Sequence, residues 1–246
     1  MTLDIEISRI DDVKENIEEL NERFKEMSTK NILNWAFKTF GEKIVLASSL
    51  GLEDQVLTDI SVKLFPKARI FVLDTGRLHQ KTYDVLEESM EKYNIKYDIL
   101  FPKFEDVQAL EEEHGPNPFY KSLELRHRCC GIRKVEPLHR VLDCYDAWIT
   151  GLRRDQSITR TGVKKIEWDE INNIVKLNPL LDWTDKEVED YIYENNVPYN
   201  KLFDEGFTSI GCAPCTRATK VGEHPRAGRW WWENPEKREC GLHEKY

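Results

Sequence analysis

Lys43-Ile-Val-Leu-Ala47 is a short apolar run that breaks at Ser48-Ser-Leu-Gly51 and gives way to helical spacing from Glu53 to Phe65. Four or five β-branched and apolar residues, a small-residue turn and a helix make one strand-turn-helix unit. The unit repeats at once: Arg69 to Leu73, then Asp74-Thr-Gly76, then a helix over Gln80–Tyr93, with Lys96 to Phe101 as a third strand. Strands alternating with helices predict an α/β fold, a mostly parallel sheet with helices on both faces.

Working outward, Ile10, Val13, Ile17, Leu20 and Phe24, then Ile32, Trp35, Ala36 and Phe40, predict two amphipathic helices that cover the sheet. Beyond the third strand, Glu105–Glu113 has helical spacing, and a helix is expected from about Pro118 towards Cys129. Ile132–Val141 is again helical, with strands at Ala147–Thr150 and Ile174–Leu177. Thr184 with Glu187 three residues on has the capping-box pattern and opens a helix through Tyr193. From Gly206 the composition shifts to Gly, Pro, Cys, Arg and Trp. The expected organisation is therefore an α/β domain over 1–205 and a C-terminal segment, 206–246, arranged around a site.

The chain has 246 residues and a formal charge of −9. An acidic chain is a poor match for broad contact with nucleic acid, which depends on neutralising many phosphates. No apolar run approaches the ~18 residues of a membrane span, and the N-terminal Met-Thr-Leu-Asp-Ile-Glu lacks a secretory layout, so a cytoplasmic protein is expected. Positive charge is nonetheless concentrated locally. Arg126, Arg128, Arg133, Lys134 and Arg140 surround one pair of cysteines; Arg217, Lys220, Arg226, Arg229, Lys237 and Arg238 follow another. Charge that returns twice to thiols points to one site for a small anion.

The cysteines divide into Cys129-Cys130, Cys212-x-x-Cys215, and the separate Cys144 and Cys240. A two-residue gap lets both sulfurs reach one metal centre, and with the tandem pair it makes a four-thiolate set. Spacing alone leaves an iron-sulfur cluster, zinc, redox thiols and buried cysteine as alternatives. Cys144 reads as a small buried hydrophobe without chemistry. Cys240 lies between Lys237-Arg238 and His243, cations that favour the thiolate, so it is the candidate nucleophile.

At the carboxyl ends of the strands, Ser48, Ser49 and Gly51, Asp74, and Gly151 are candidates for nucleotide contact, because ligands of such sheets bind there. No Gly-Lys-Ser/Thr phosphate loop is present. Arginine binds phosphate or sulfate oxygens bidentately, which brings in Arg153, Arg154, Arg160, Arg226 and Arg229. Of Trp230-Trp-Trp232, not all three can face one ligand, so the expected role is packing.

Four ordered motifs, Cys129-Cys-Gly-Ile-Arg-Lys134, Thr150-Gly-Leu-Arg-Arg-Asp-Gln-Ser-Ile-Thr-Arg160, Cys212-x-x-Cys215 and Arg238-Glu-Cys-Gly-Leu-His243, resemble the assimilatory adenylyl-sulfate reductases within the wider family of phosphoadenylyl-sulfate reductases. The resemblance runs from Ser48 through Leu73-Asp-Thr-Gly-Arg-Leu-His79 to the C-terminus. It implies an adenine-nucleotide α-hydrolase-like fold and one [4Fe-4S] cluster on Cys129, Cys130, Cys212 and Cys215. It further implies attack by Cys240 on adenosine 5′-phosphosulfate (APS), with thioredoxin or glutaredoxin as electron donor. Lys134, Arg160, Arg226 and Arg229 then grip the phosphosulfate, with Ser48, Ser49, Gly51, Asp74, Gly151 and His243 completing the substrate site. Two departures from the simplest case are kept: Leu50 stands where relatives often place serine, and the 3′-phosphorylated substrate (PAPS) is a near alternative. The implied partners exclude nucleic acid and membrane and allow a homo-oligomer. An RNA thiolase would need a Ser-Gly-Gly-x-Asp-Ser loop, which this chain lacks, and a cluster-bearing redox sensor would not need Cys240.

Overall fold

The computed structural model describes residues 10–154 and 162–234. Contacts divide the chain into two interleaved compact units: residues 1–48, 52–71 and 142–197 form the first, and 49–51, 72–141 and 198–246 the second.

In the first unit, α1 (Ile10–Glu15), α2 (Ile17–Lys25) and α3 (Thr29–Phe40) precede β1 (Ile44–Ser48) and α4 (Leu52–Leu64). The expected first helix is thus two. Asn16 interrupts it, because its Nδ2 donates 2.7 Å to the Asp12 carbonyl and so competes for a helical acceptor. α3 starts where the Ser28 side chain accepts from Asn31 N, and buries Ile32, Leu33, Ala36, Phe37 and Phe40 on one face.

The strands β2 (Arg69–Leu73), β4 (Ala147–Ile149), β5 (Ile166–Asp169) and β6 (Ile174–Leu177) join β1 in the order β2-β1-β4-β6-β5. β1 pairs β4 in parallel (Ile44 with Ala147, Leu46 with Ile149), and β4 pairs β6 in parallel. β5 runs antiparallel to β6, Ile166 opposite Leu177. The sheet is therefore mixed but mostly parallel, in agreement with the fold class expected from the alternation. β5 lies at the sheet edge, and the buried Asn21 of α2 pairs with both backbone groups of Ile166, accepting at 3.1 Å and donating at 2.8 Å. That contact covers groups an edge strand would otherwise expose. The predicted capping box opens α9 (Asp185–Glu194).

Winding reverses between β1, which leads to β2 on one side, and β4 on the other, the place where sheets of this kind bind ligands. Ser48 ends β1 and Gly151 follows β4, so the two share one edge of the sheet. Gly151 packs closely on α4: a Cβ there would stand 2.9 Å from Glu53 Cβ and clash with the Asp54 carboxylate. Gly151→Ala should lower stability, since overpacking costs about 1–3 kcal/mol, more than the ~0.4–1 kcal/mol gained by restricting the unfolded chain. Thermal unfolding checks this; an unchanged or raised midpoint would refute the close approach.

The second unit contains the end of β2, α5 (Gln80–Tyr93), β3 (Asp98–Leu100) beside β2, α6 (Phe104–His114) and α7 (Leu123–Cys130). A π-turn over Gly131–Val135 leads into α8 (Glu136–Leu142), which begins in this unit. The helix expected from Pro118 is a 3₁₀ turn, Pro118–Tyr120, and α7 begins only after Ser122, whose hydroxyl accepts from Leu125 N. From Pro198 to Asn234 the described residues are mostly in turns. They are organised by a cluster of Leu110, Phe119, Cys129, Cys215 and Trp230, with Ile132, Cys212 and Trp232 packed against it.

Candidate active site

Cys129 and Cys130 end α7 and enter the π-turn without a break in the helical path. A π-turn widens the helix by one residue, a form frequent at functional sites. Within it Arg133 is turned inward and buried. Its Nη1 donates 2.7 Å to the Thr75 carbonyl and its Nη2 2.6 Å to Glu111, which also accepts from Arg77 at 3.0 Å.

The second cysteine pair sits on a 3₁₀ turn, Ala213–Cys215, started by Pro214. Cys215 N donates to the Cys212 carbonyl at 2.9 Å, Ala213 N to the Arg77 carbonyl at 2.8 Å, and Tyr120 OH to the Pro214 carbonyl at 2.6 Å. The Thr75 hydroxyl lies 3.3 Å from Cys212 Sγ. One loop, Asp74 to Arg77, thus touches both the π-turn that follows the first pair and the turn that carries the second.

The thiols affect one another. Burial pushes the Cys215 thiol well up, and the neighbouring Cys212 and Cys130 add to it. Burial also raises Cys129, opposed by the Arg133 guanidinium. For Cys212 burial is again the largest effect, but Lys134, the Thr75 hydroxyl, Arg229 and Arg133 together hold the thiol below its usual range. No disulfide joins any of the five described cysteines. Among the described residues no three His, Cys, Asp or Glu side chains are close enough to share a single metal ion. A cubane cluster asks for something else, since it gives each thiolate its own iron.

Asp74 is buried and accepts from Gly76 N at 2.8 Å and from Tyr83 OH at 2.9 Å. Burial, with Asp74 adding, pushes the Tyr83 hydroxyl up to about 12. Asp74 therefore shapes its own loop. Arg229 is buried, with Nη1 donating to Ser209 Oγ at 3.3 Å and to the Ile210 carbonyl at 3.1 Å.

Residues 43–218 match the family described as the phosphoadenosine phosphosulfate reductase domain. The chain belongs to the phosphoadenosine phosphosulfate reductase family. Among its curated relatives, the adenosine 5′-phosphosulfate reductase of Allochromatium vinosum is 48% identical over 204 residues, covering 83% of this chain and 80% of that protein. The enzyme of the same name from Rhizobium tropici is 49% identical over 171 residues, covering 70% and 95%. Among solved structures, phosphoadenylyl-sulfate reductase from Candida auris, in a phosphate complex, superposes with a TM-score of 0.73 at 30% identity, covering 83% of this chain and 97% of that one. FMN adenylyltransferase of Candida glabrata, at 18% identity and TM-score 0.55 over 88% and 78%, shares the fold alone.

Within this reductase the second unit brings together Cys129, Cys130, Cys212 and Cys215, with Lys134 and Arg229 near enough to act on their charge. Arg226 is half-buried on the turn whose carbonyl accepts from Arg229 N, Ser49 is exposed and Gly51 half-buried. Leu50 is buried in a left-handed conformation at φ 61°, so its side chain serves the core. Arg160, Cys240 and His243 lie outside the described residues.

Two expectations need correcting. The basic stretches are not one open anion surface: Arg126 pairs with Glu233, Arg128 with Glu113, Arg133 with Glu111 and Arg217 with Glu223. In the first unit, Arg153 is likewise committed to Glu53 and Asp185. Cys144, expected inside, is exposed in the turn after α8. The indoles diverge as expected, with Trp230 buried and the Trp231 and Trp232 rings at 86°. Sequence reading passed over Thr75, Arg77 and Glu111; the first two stand inside the Leu73–His79 motif, but nothing local marks Glu111.

Proposed function

We propose that this protein reduces APS to sulfite and AMP. What carries the reading is the series of relatives bearing that enzyme's name at 45–49% identity over most of the chain, together with its cysteine pattern. The Cys240 thiolate attacks the sulfur of APS, a Cys–S–SO₃⁻ bond forms, and the S–O bond to the phosphate breaks as AMP leaves. A thiolate of thioredoxin or glutaredoxin then attacks Cys240 Sγ and displaces sulfite. Its second thiol resolves the mixed disulfide, so the dithiol supplies both electrons. Attack of one anion on another needs preorganised positive charge, the role of Lys134, Arg160, Arg226 and Arg229.

Cys129, Cys130, Cys212 and Cys215 fit a [4Fe-4S] cluster. Three buried donors close to them, Trp230 Nε1, Arg133 Nε and Arg229 Nε, have no acceptor among the described residues, and a buried donor left so costs about 1–3 kcal/mol. A group that brings anionic sulfur answers that deficit. When bound, the cluster supplies a structural and electrostatic centre, whereas the electrons come from thiols. Arg133 and Thr75 orient Cys129 and Cys212, and Glu111 holds Arg133.

The test is anaerobic mixing of reduced protein with APS and no thioredoxin, read by intact and peptide mass. One sulfo group on Cys240 and stoichiometric AMP are expected. Absence of the adduct on cluster-loaded protein would refute the mechanism. PAPS in a parallel reaction tests the second reading, use of both substrates, which the likeness to the Candida auris enzyme favours.

A further inference from the structure

Arg126, on the helix that ends in the first cysteine pair, is fully buried and makes a two-pronged ion pair with Glu233: Nε to Oε1 at 3.1 Å and Nη2 to Oε2 at 3.0 Å. Its guanidinium carbon lies 4.7 Å from the centre of the Trp230 ring, and that of Arg229 lies 4.6 Å from the same ring. Two guanidiniums therefore share one indole. Such an arrangement is repulsive unless one charge is cancelled, because the interior screens it weakly. Glu233 cancels that of Arg126. Arg229 is treated differently, since among the described residues it pairs with no carboxylate and donates to a hydroxyl and a carbonyl.

The backbone reinforces the arrangement. Trp230 is held at φ 42°, a strained value for a bulky residue, while its backbone N–H donates a hydrogen bond to the Cys215 carbonyl and Glu233 N donates one to the Trp230 carbonyl. Gly211 closes a third side: a Cβ there would stand 2.6 Å from Arg229 Cζ. The Arg229 guanidinium acts on the Cys212 thiol. We propose that Arg126 and Glu233 are positioning residues, which neutralise each other and fix Trp230 so that this guanidinium, which pairs with no carboxylate of the described residues, is also offered to the anionic part of the substrate. This rests on the reading of Arg229 as a phosphosulfate-binding residue.

The test uses full-length, cluster-loaded protein with Cys240→Ser, which binds APS without consuming it, and measures the APS dissociation constant by calorimetry. Glu233→Gln should weaken binding about tenfold through coupling between neighbours in contact, with Glu233→Asp recovering part of the loss. The double variant Arg126→Met/Glu233→Leu removes the charges and keeps the bulk, so its melting should return towards the parent while APS binding stays weak. Native affinity in the double variant or in Glu233→Gln would overturn the proposal and leave the pair a packing element. Phenylglyoxal modification of Arg229, followed by peptide mass, gives a readout independent of substrate. It should quicken in Glu233→Gln and the double variant, and an unchanged rate overturns the proposal. If the parent binds no APS, the functional reading fails, and the phenylglyoxal rates still decide the positioning role.

Discussion

Turnover of APS should fall by about 10⁴-fold or more in Cys240→Ser, the scale on which removal of a nucleophile acts. Serine keeps the shape of cysteine but not its acidity: a hydroxyl is scarcely ionised near neutrality, whereas the Lys237, Arg238 and His243 that flank Cys240 in sequence are expected to favour its thiolate. The variant should still bind APS and keep its visible absorption, because the residues assigned to those tasks are elsewhere. Steady-state sulfite release with thioredoxin present checks it. Turnover within tenfold of the parent would mean that another group attacks the sulfur.

Cys212→Ser should give colourless, inactive protein with a lowered melting point. Cys212 ties together several parts of the second unit: its sulfur meets the Thr75 hydroxyl, and its carbonyl accepts from Cys215 N and from Thr216 Oγ1 at 3.0 Å. Coordination free energy is folding free energy in such sites, so loss of one ligand should appear in iron content and in thermal unfolding together. Undiminished absorption at native iron content would remove Cys212 from the ligand set.

The strand-turn-helix units that decide the fold were legible because each carries its own period and its own breaker. Arg69–Leu73, Gln80–Tyr93 and Ile174–Leu177 fall where periodicity puts them. β5 was missed for a physical reason. Its four residues continue into a turn in which Asp169 accepts from Ile171 N and Asn172 N, and Asn173 adopts φ 54°, so Trp168 and Ile174 read as one irregular stretch rather than two strands. The π-turn was equally hidden, since Gly131 to Val135 keeps helical polarity. The cysteines of the site could be read from spacing, but the partners of its arginines could not. Glu233 is 107 positions from Arg126 and Glu111 is 22 from Arg133, and no pattern in either neighbourhood announces the other.

The second unit departs from its own chain at Val141 and returns at Pro198, which puts its two cysteine pairs on opposite sides of a long excursion. From Cys130 to Cys212 is 212 − 130 = 82 positions. At about 5–20 residues per second of synthesis, the first pair waits roughly 4–16 s for the second to exist. With the proposed four-cysteine cluster, loading would be a late step in biogenesis, following synthesis of the whole first unit. Were a cluster to tie the four sulfurs, the link would close an 82-position loop and, by the entropy of crosslinking, withhold about 4–5 kcal/mol of disorder from the unfolded chain. The newborn chain would lack that restraint, and the interval before loading would be when it is most open to proteolysis and to mispairing of its neighbouring thiols.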